Sequence, residues 1–253
     1  MIKILLNGCN GRMGQVITRL DSENDDVTIA AGVDISPEKC KNFYNVHSTL
    51  SDVKEDFDVI IDFSNIKGLP SILEFATLNK KPVVYCTTGL SPDDRDKINA
   101  ASNEIPILTS ANMSIGINLI LDLVKQCAPI LEDSFDIEIV EKHHNQKADS
   151  PSGTALAIAD AINDSLSQKY EYTYGRHSKT EKRSPKEIGI HALRGGNIVG
   201  EHTVYFAGAG EVIEIKHTAL SRDVFGVGAL KAAKYLYNKK AGLYSMDDII
   251  SQG

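Results

Sequence analysis

The stretch that most constrains this chain is Gly8-Cys9-Asn10-Gly11-Arg12-Met13-Gly14. It follows the apolar run Ile2-Lys3-Ile4-Leu5-Leu6 and precedes Val16, Ile17 and Leu20 at helical spacing, so the sequence reads as strand, tight turn and helix start. Glycines in such a turn admit backbone approaches that a Cβ would block, and the N–H groups opening the next helix face any anion in front of them. The spacing of Gly8, Gly11 and Gly14 is G-x-x-G-x-x-G rather than G-x-G-x-x-G, and alone it also fits a purely structural turn. Asp34 adds context. It closes the second β-branched run, Val27–Val33, about 20 residues beyond the loop, where a carboxylate accepts hydrogen bonds from the ribose hydroxyls of a dinucleotide. Arg12 supplies positive charge for phosphate. Ile35 follows Asp34, so no adjacent basic residue holds a 2′-phosphate, and NADH is favoured over NADPH. Lys39 and Lys41 keep dual use open, although both read more simply as solvated surface lysines.

Further apolar runs at Val59–Phe63, Val83–Thr87 and Ile105–Leu108 alternate with amphipathic stretches, the pattern of a parallel sheet with crossover helices. Gly68–Leu78 carries Leu69, Ile72, Leu73 and Ala76 on one helical face, and Ser91-Pro92 reads as a cap with proline in the first turn. Asp62-Phe63-Ser64 and Thr87-Thr88-Gly89 end strands where open α/β sheets hold ligands, and Ser110–Ser114 is a candidate hinge. Beyond Ser114 the layout changes. A helix through Ile117–Val124 leads to alternating strands at Phe135–Ile139, Ile188–Leu193, His202–Phe206 and Val212–His217, joined by turns at Gly195-Gly196 and Gly208–Gly210. The expected fold is α/β: an N-terminal Rossmann-like dinucleotide-binding domain, 1–112 with 223–253, and a C-terminal α+β domain, 113–222, with a mixed or antiparallel sheet. That sheet's exposed face is a candidate partner surface. The last helix, from about Asp223 to Asn238, is placed to pack back on the first domain. Tyr170–Glu187, rich in Arg and Lys, reads as a solvated loop.

With 253 residues and 42% hydrophobic content, the chain has enough apolar material for two cores. A net charge of -7 argues against a phosphate-backbone mode of nucleic-acid binding. Cys9, Cys40, Cys86 and Cys127 form no C-x-x-C pair, and the seven histidines show no H-E-x-x-H spacing, so neither a disulfide scaffold nor a metal site is expected. A reduced, cytoplasmic setting is expected, and no apolar run reaches the length of a membrane span.

The chemistry concentrates in residues 141–155, Glu-Lys-His-His-Asn-Gln-Lys-Ala-Asp-Ser-Pro-Ser-Gly-Thr-Ala. Ala155, Leu156, Ile158, Ala159 and Ile162 open an amphipathic helix, with Ser152, Gly153 and Thr154 at its positive end as a carboxylate cradle. Lys147, His143 and His144 add cationic and proton-donating groups beside it. The histidine pair is also compatible with a structural role, and Ser152-Gly153-Thr154 with a plain helix cap.

The same segment is similar to the signature of the 4-hydroxy-tetrahydrodipicolinate reductase (dihydrodipicolinate reductase) family. The likeness runs along nearly the whole chain, through N-G-x-x-G-R-M-G, D-F-S, C-T-T-G, S-A-N-M-S-I-G-I-N, L-R-G-G-x-I-V-G-E-H and a terminal R-x-x-F-x-x-G-A helix. The resemblance implies His143 as proton donor and Lys147 as a group that binds and polarises substrate. It implies Ser152, Gly153 and Thr154 around a substrate carboxylate, with His144 lining the same pocket. It assigns the dinucleotide to Gly8, Gly11, Arg12, Met13, Gly14, Asp34 and Gly89, with Phe63, Thr87, Ala111 and Met113 nearby. Asn145 and Gln146 stand where the family often carries basic residues. Arg194 lies near the substrate by resemblance and reads equally as a structural ion pair. The implied reaction is NADH- or NADPH-dependent reduction of a small cyclic dicarboxylate, with loss of water, by a homotetramer joined through the second-domain sheets. Two other readings stand beside it: a nicotinamide oxidoreductase acting on a sugar or semialdehyde, and a non-catalytic dinucleotide sensor.

Overall fold

Strand β1 (Ile2–Asn7) carries Ile4, Leu5 and Leu6 fully buried in succession, so both faces of its sheet are covered, as a parallel sheet flanked by helices requires. The computed structural model describes residues 1–110 and 112–251. After β1 come α1 (Arg12–Asp21), β2 (Val27–Val33), β3 (Asn45–His47), β4 (Val59–Asp62), α2 (Leu69–Asn79), β5 (Val83–Tyr85), α3 (Pro92–Ser102) and β6 (Pro106–Thr109). The expected periodic runs become elements with small shifts at their ends. Helix α3 starts where Ser91 and Asp94 cap each other's backbone N–H groups and Pro92 fills a first-turn position that needs no donor.

Next in chain order are α4 (Ile115–Leu131), β7 (Asp136–His143), α5 (Gly153–Ser165), β8 (Glu171–Tyr174), β9 (Glu187–Arg194), β10 (Gly200–Ala207) and β11 (Val212–Ala219). Their sheet runs β11-β10-β7-β9-β8, antiparallel from β11 to β7 and parallel from β7 to β8. Ile137, Ile139, Ile188, Ile190, Val204 and Phe206 form one core with Val124, Ala128, Ile158 and Ile162 of α4 and α5. Alternate residues such as Glu138 and Val140 therefore lie on the opposite face.

The reading of Tyr170–Glu187 as a solvated loop is corrected here. Tyr170 is buried, β8 pairs with β9, and Arg176 and Arg183 reach Glu138 and Glu187. Two cations beside those acids make this polar stretch part of the sheet's outer layer, while His177, Lys179 and Lys182 remain exposed.

The chain ends with α6 (Asp223–Leu236), β12 (Gly242–Tyr244) and α7 (Met246–Ile250). β12 adds to the first sheet, whose order is β12-β6-β5-β4-β1-β2-β3, with every pairing parallel. Strand order reverses at β1 and β4, the position where such sheets open a ligand crevice. The chain forms two compact units, Met1–Ile115 with Arg222–Gly253 and Gly116–Ser221. Ala229, Leu230, Ala233 and Leu236 place α6 in the core of the first unit beside β1 and β4 residues.

Gly228 permits this packing. A Cβ there would lie 1.7 Å from the Met113 carbonyl oxygen, a backbone atom that can yield only if the segment moves. Gly228→Ala is expected to cost at least about 2 kcal/mol. Denaturant unfolding measures the loss, and an unchanged midpoint would contradict this packing account.

Candidate active site

In the first unit the glycine loop turns β1 into α1. Gly8 has φ +79°, and a Cβ there would meet the Phe63 carbonyl oxygen at 2.7 Å. Gly14 is buried, and only glycine fits there, because a Cβ would lie 2.3 Å from the Gly8 oxygen and 2.4 Å from that of Cys9. Gly11 is the N-cap of α1, so no N-cap side chain hydrogen-bonds to that helix start. Arg12, exposed, and Met13 occupy its first turn.

Asp34 accepts from the Asn10 N–H at 3.0 Å and the Ser36 N–H at 2.9 Å, tying the loop to the end of β2. Gly8, Gly11, Asp34 and Phe63 line one cleft of about 1000 Å³, with Ile35, Phe75 and Leu78 as apolar wall and Lys39 as a basic group. A bare helix N-terminus, a carboxylate and an apolar wall fit the phosphates, ribose and adenine of a dinucleotide.

Other expected contacts fall elsewhere in this unit. The Thr87 hydroxyl donates to Asp62 at 2.8 Å, alongside Asn7 and Ser64 at 2.6 Å each. Burial outweighs these neutral donors and raises the Asp62 pKa above its ordinary value. Gly89 takes φ +86°, Met113 is buried, and Ala111 lies outside the described residues.

In the second unit β7 ends at His143. Glu141 and His143, two apart, share its core face. Glu141 is fully buried and Oε2 lies 2.6 Å from His143 Nδ1. Arg194 donates to both carboxylate oxygens at 2.7 Å, and the Ser152 N–H donates to Oε1 at 2.9 Å. Burial alone would raise the Glu141 carboxyl, but hydrogen bonds from His143, Arg194 and Ser152 outweigh it and bring its pKa down to about 2. Of the two readings of Arg194, the ion pair is what the structure contains.

Ser152 accepts from the Ala155 N–H, capping α5, and its hydroxyl lies 3.0 Å from His202 Nε2. Its polar groups are thus committed within the protein, whereas Gly153 is exposed at the helix start. His202 stands edge-on to His143 at 5.1 Å between centroids. Burial, then the neighbouring His143, lowers the His202 pKa to about 4.

Lys147 Nζ pairs with Asp149 at 2.8 Å. Against burial, which raises it, Lys147 and the Gly153 N–H hold the Asp149 carboxyl below its ordinary range. Lys147 and the start of α5 thus converge on one carboxylate. His144 and Thr154 are half-buried in the same segment.

Glu141 and His202 carry weight that the sequence reading did not assign. The signal for Glu141 was its place two residues before His143 on an alternating strand. His202 required the register that sets it opposite Glu141.

A model of the dihydrodipicolinate reductase N-terminus matches residues 2–113, and one of the C-terminus matches residues 116–250. The 4-hydroxy-tetrahydrodipicolinate reductase of Caldanaerobacter subterraneus subsp. tengcongensis is 55% identical over 257 residues, covering 100% of both chains. That of Clostridium tetani is 51% identical over 254 residues, covering 99% of this chain and 98% of its own. A dipicolinate-bound dihydrodipicolinate reductase from Paenisporosarcina sp. TG-14 shares the fold at TM-score 0.82 and 22% identity, covering 98% and 99%. A probable dehydrogenase from Thermotoga maritima does so at TM-score 0.66 and 12% identity, covering 98% and 92%.

Fold and family models together define the class, an oxidoreductase that uses a nicotinamide dinucleotide. Matches to both halves narrow it further, and the chain belongs to the dihydrodipicolinate reductase family. The sugar or semialdehyde enzyme and the silent sensor are set aside by these matches.

Two buried groups, His202 and Glu141, make stability depend on pH in two windows. His202 titrates near 6.5 when unfolded and about 4 when folded, so the unfolded chain binds more protons between these values and stability falls as pH drops through them. Glu141, at 4.5 unfolded and about 2 folded, adds a second loss as pH falls through that lower window. His202→Gln is expected to abolish the upper loss, worth up to about 3 kcal/mol, and to spare the lower one. Unfolding free energies at pH 7, 5.5 and 4 measure this, and equal pH slopes for both proteins would refute it.

Proposed function

We propose that this chain reduces 4-hydroxy-tetrahydrodipicolinate to tetrahydrodipicolinate, in the route to diaminopimelate and lysine. One hydride and one proton enter, and one water leaves. The observation that carries this reading is a histidine anchored at Nδ1 by a buried carboxylate, in the segment that also brings a lysine and a helix start onto one carboxylate. His143 is the proton donor, acting through Nε2, the nitrogen to which no described residue hydrogen-bonds. Lys147 and the N–H groups of Gly153 and Thr154 take a substrate carboxylate, displacing Asp149 from Lys147. His144 lines the pocket. Ser152 contributes by holding the turn, since its own hydroxyl and N–H are spent. Preorganised donors of this kind stabilise charge without rearrangement at the moment of reaction.

The reduced nicotinamide, when bound, supplies the hydride. Gly8, Gly11, Gly14, Arg12 and Met13 hold the pyrophosphate and Asp34 the adenine ribose, with Phe63 in the same cleft; Thr87, Gly89 and Met113 belong to the same unit, and Ala111 lies outside the described residues. NADH is the favoured form because the Asp34 carboxylate repels a 2′-phosphate, while Lys39 in the same cleft leaves NADPH usable. The protein works in the cytoplasm, in keeping with four free cysteines. It assembles as a homotetramer through the open face of the second sheet, where Leu193 and Val212 are 47% and 56% exposed. Light scattering tests this assembly: a tetramer mass is expected, and a monomer would refute it.

Absorbance of reduced nicotinamide, with substrate made freshly from pyruvate and aspartate semialdehyde, tests the activity. Substrate-dependent oxidation is expected, with a lower KM for NADH than for NADPH. His143→Gln is expected to lower kcat by about 10²–10⁴-fold, and Lys147→Ala to raise KM as well, both with unaltered dinucleotide affinity. Full activity in either variant would refute that residue's role, and no oxidation by folded protein would refute the reaction.

A further inference from the structure

We infer that Glu141 is the positioning residue for the proton-donating histidine, with Arg194 as its counter-charge. This rests on the reading of His143 as donor and goes beyond it. Four donors converge on the two oxygens of this one buried carboxylate: His143 Nδ1 and Arg194 Nη1 on Oε2, Arg194 Nη2 and the Ser152 N–H on Oε1.

Two consequences follow. An ionised carboxylate accepts only, so the proton between Glu141 and His143 sits on Nδ1 and the transferable proton sits on Nε2. Nε2 lies against Gly200, the one residue type that leaves it room, since a Cβ there would stand 3.1 Å from it. The second consequence concerns charge. Before transfer the imidazolium and guanidinium face one carboxylate, and after transfer the guanidinium alone balances it. The proton can leave without stranding a buried negative charge.

The hub also fixes where the donor stands. Arg194 is paired with His143 in the strand register, and its Nη2 donates to the Asp149 carbonyl at 2.6 Å. The Gly195 N–H donates to the His143 carbonyl at 2.9 Å. One guanidinium thus joins the end of β7, the turn before α5 and the end of β9. A plain structural salt bridge has no reason to terminate on the catalytic ring.

The test pairs kinetics with imidazole ¹⁵N resonances of the full-length enzyme. In the wild type, neutral His143 is expected as the Nδ1–H tautomer. Glu141→Gln is expected to lower kcat at least about ten-fold, with little change in KM or dinucleotide affinity, and to shift His143 toward Nε2–H. Glu141→Asp is expected to restore part of kcat. Wild-type kcat and tautomer in folded Glu141→Gln, alongside an inactive His143→Gln, would overturn the inference and leave the donor assignment standing. An active His143→Gln would overturn both. Should Glu141→Gln not fold, the wild-type spectrum decides, since an Nε2–H tautomer there would overturn the inference.

Discussion

A carboxylate with no solvent contact organises the second unit. Glu141 at the core face of β7 needs compensation from every side, and Arg194, His143 and the Ser152 N–H supply it. Removing one partner from a buried ion pair typically costs about 3–5 kcal/mol, so the strand end, the turn and the arginine are held together or lost together. Glu141, His143 and Arg194 are thus held by one another before any ligand arrives, the support from neighbouring groups that a precisely placed site needs.

The first unit uses the same device with different chemistry. Asp62, at the end of β4, gathers Asn7, Ser64 and Thr87 and so joins three strand ends around the glycine loop. Its partners are neutral, and burial prevails and raises its pKa. Glu141 has a guanidinium and an imidazole, and its pKa falls to about 2. The contrast separates an acid whose charged form burial disfavours from one whose charged form is favoured beside the proposed proton donor, His143.

Much of this was legible in the sequence because periodicity reports burial. The runs at Ile2–Leu6 and Val27–Val33, the α1 spacing and the Ser91-Pro92 start all became elements at the expected places. What escaped were elements too short to carry a period: β3 and β12 have three residues each, at the two edges of the first sheet. β8 escaped for another reason. Its strand lies in a stretch whose arginines look solvated until Glu138 and Glu187, brought in by β7 and β9, are seen to receive them. In the site, His143, Lys147 and the start of α5 could be read from one contiguous segment. Arg194 and His202 could be joined to it only by strand register, a long-range property that local spacing does not encode. Sequence proximity also overstated Ser152 and Thr87, whose hydroxyls the fold spends on His202 and Asp62.

The most direct test of the account is a crystal structure with dipicolinate bound. One ligand carboxylate should lie within hydrogen-bonding distance of Lys147 Nζ and the Gly153 and Thr154 N–H groups, with Asp149 turned away and His143 Nε2 facing the ring. A ligand seated away from the 143–154 segment, or facing His143 through Nδ1, would contradict it.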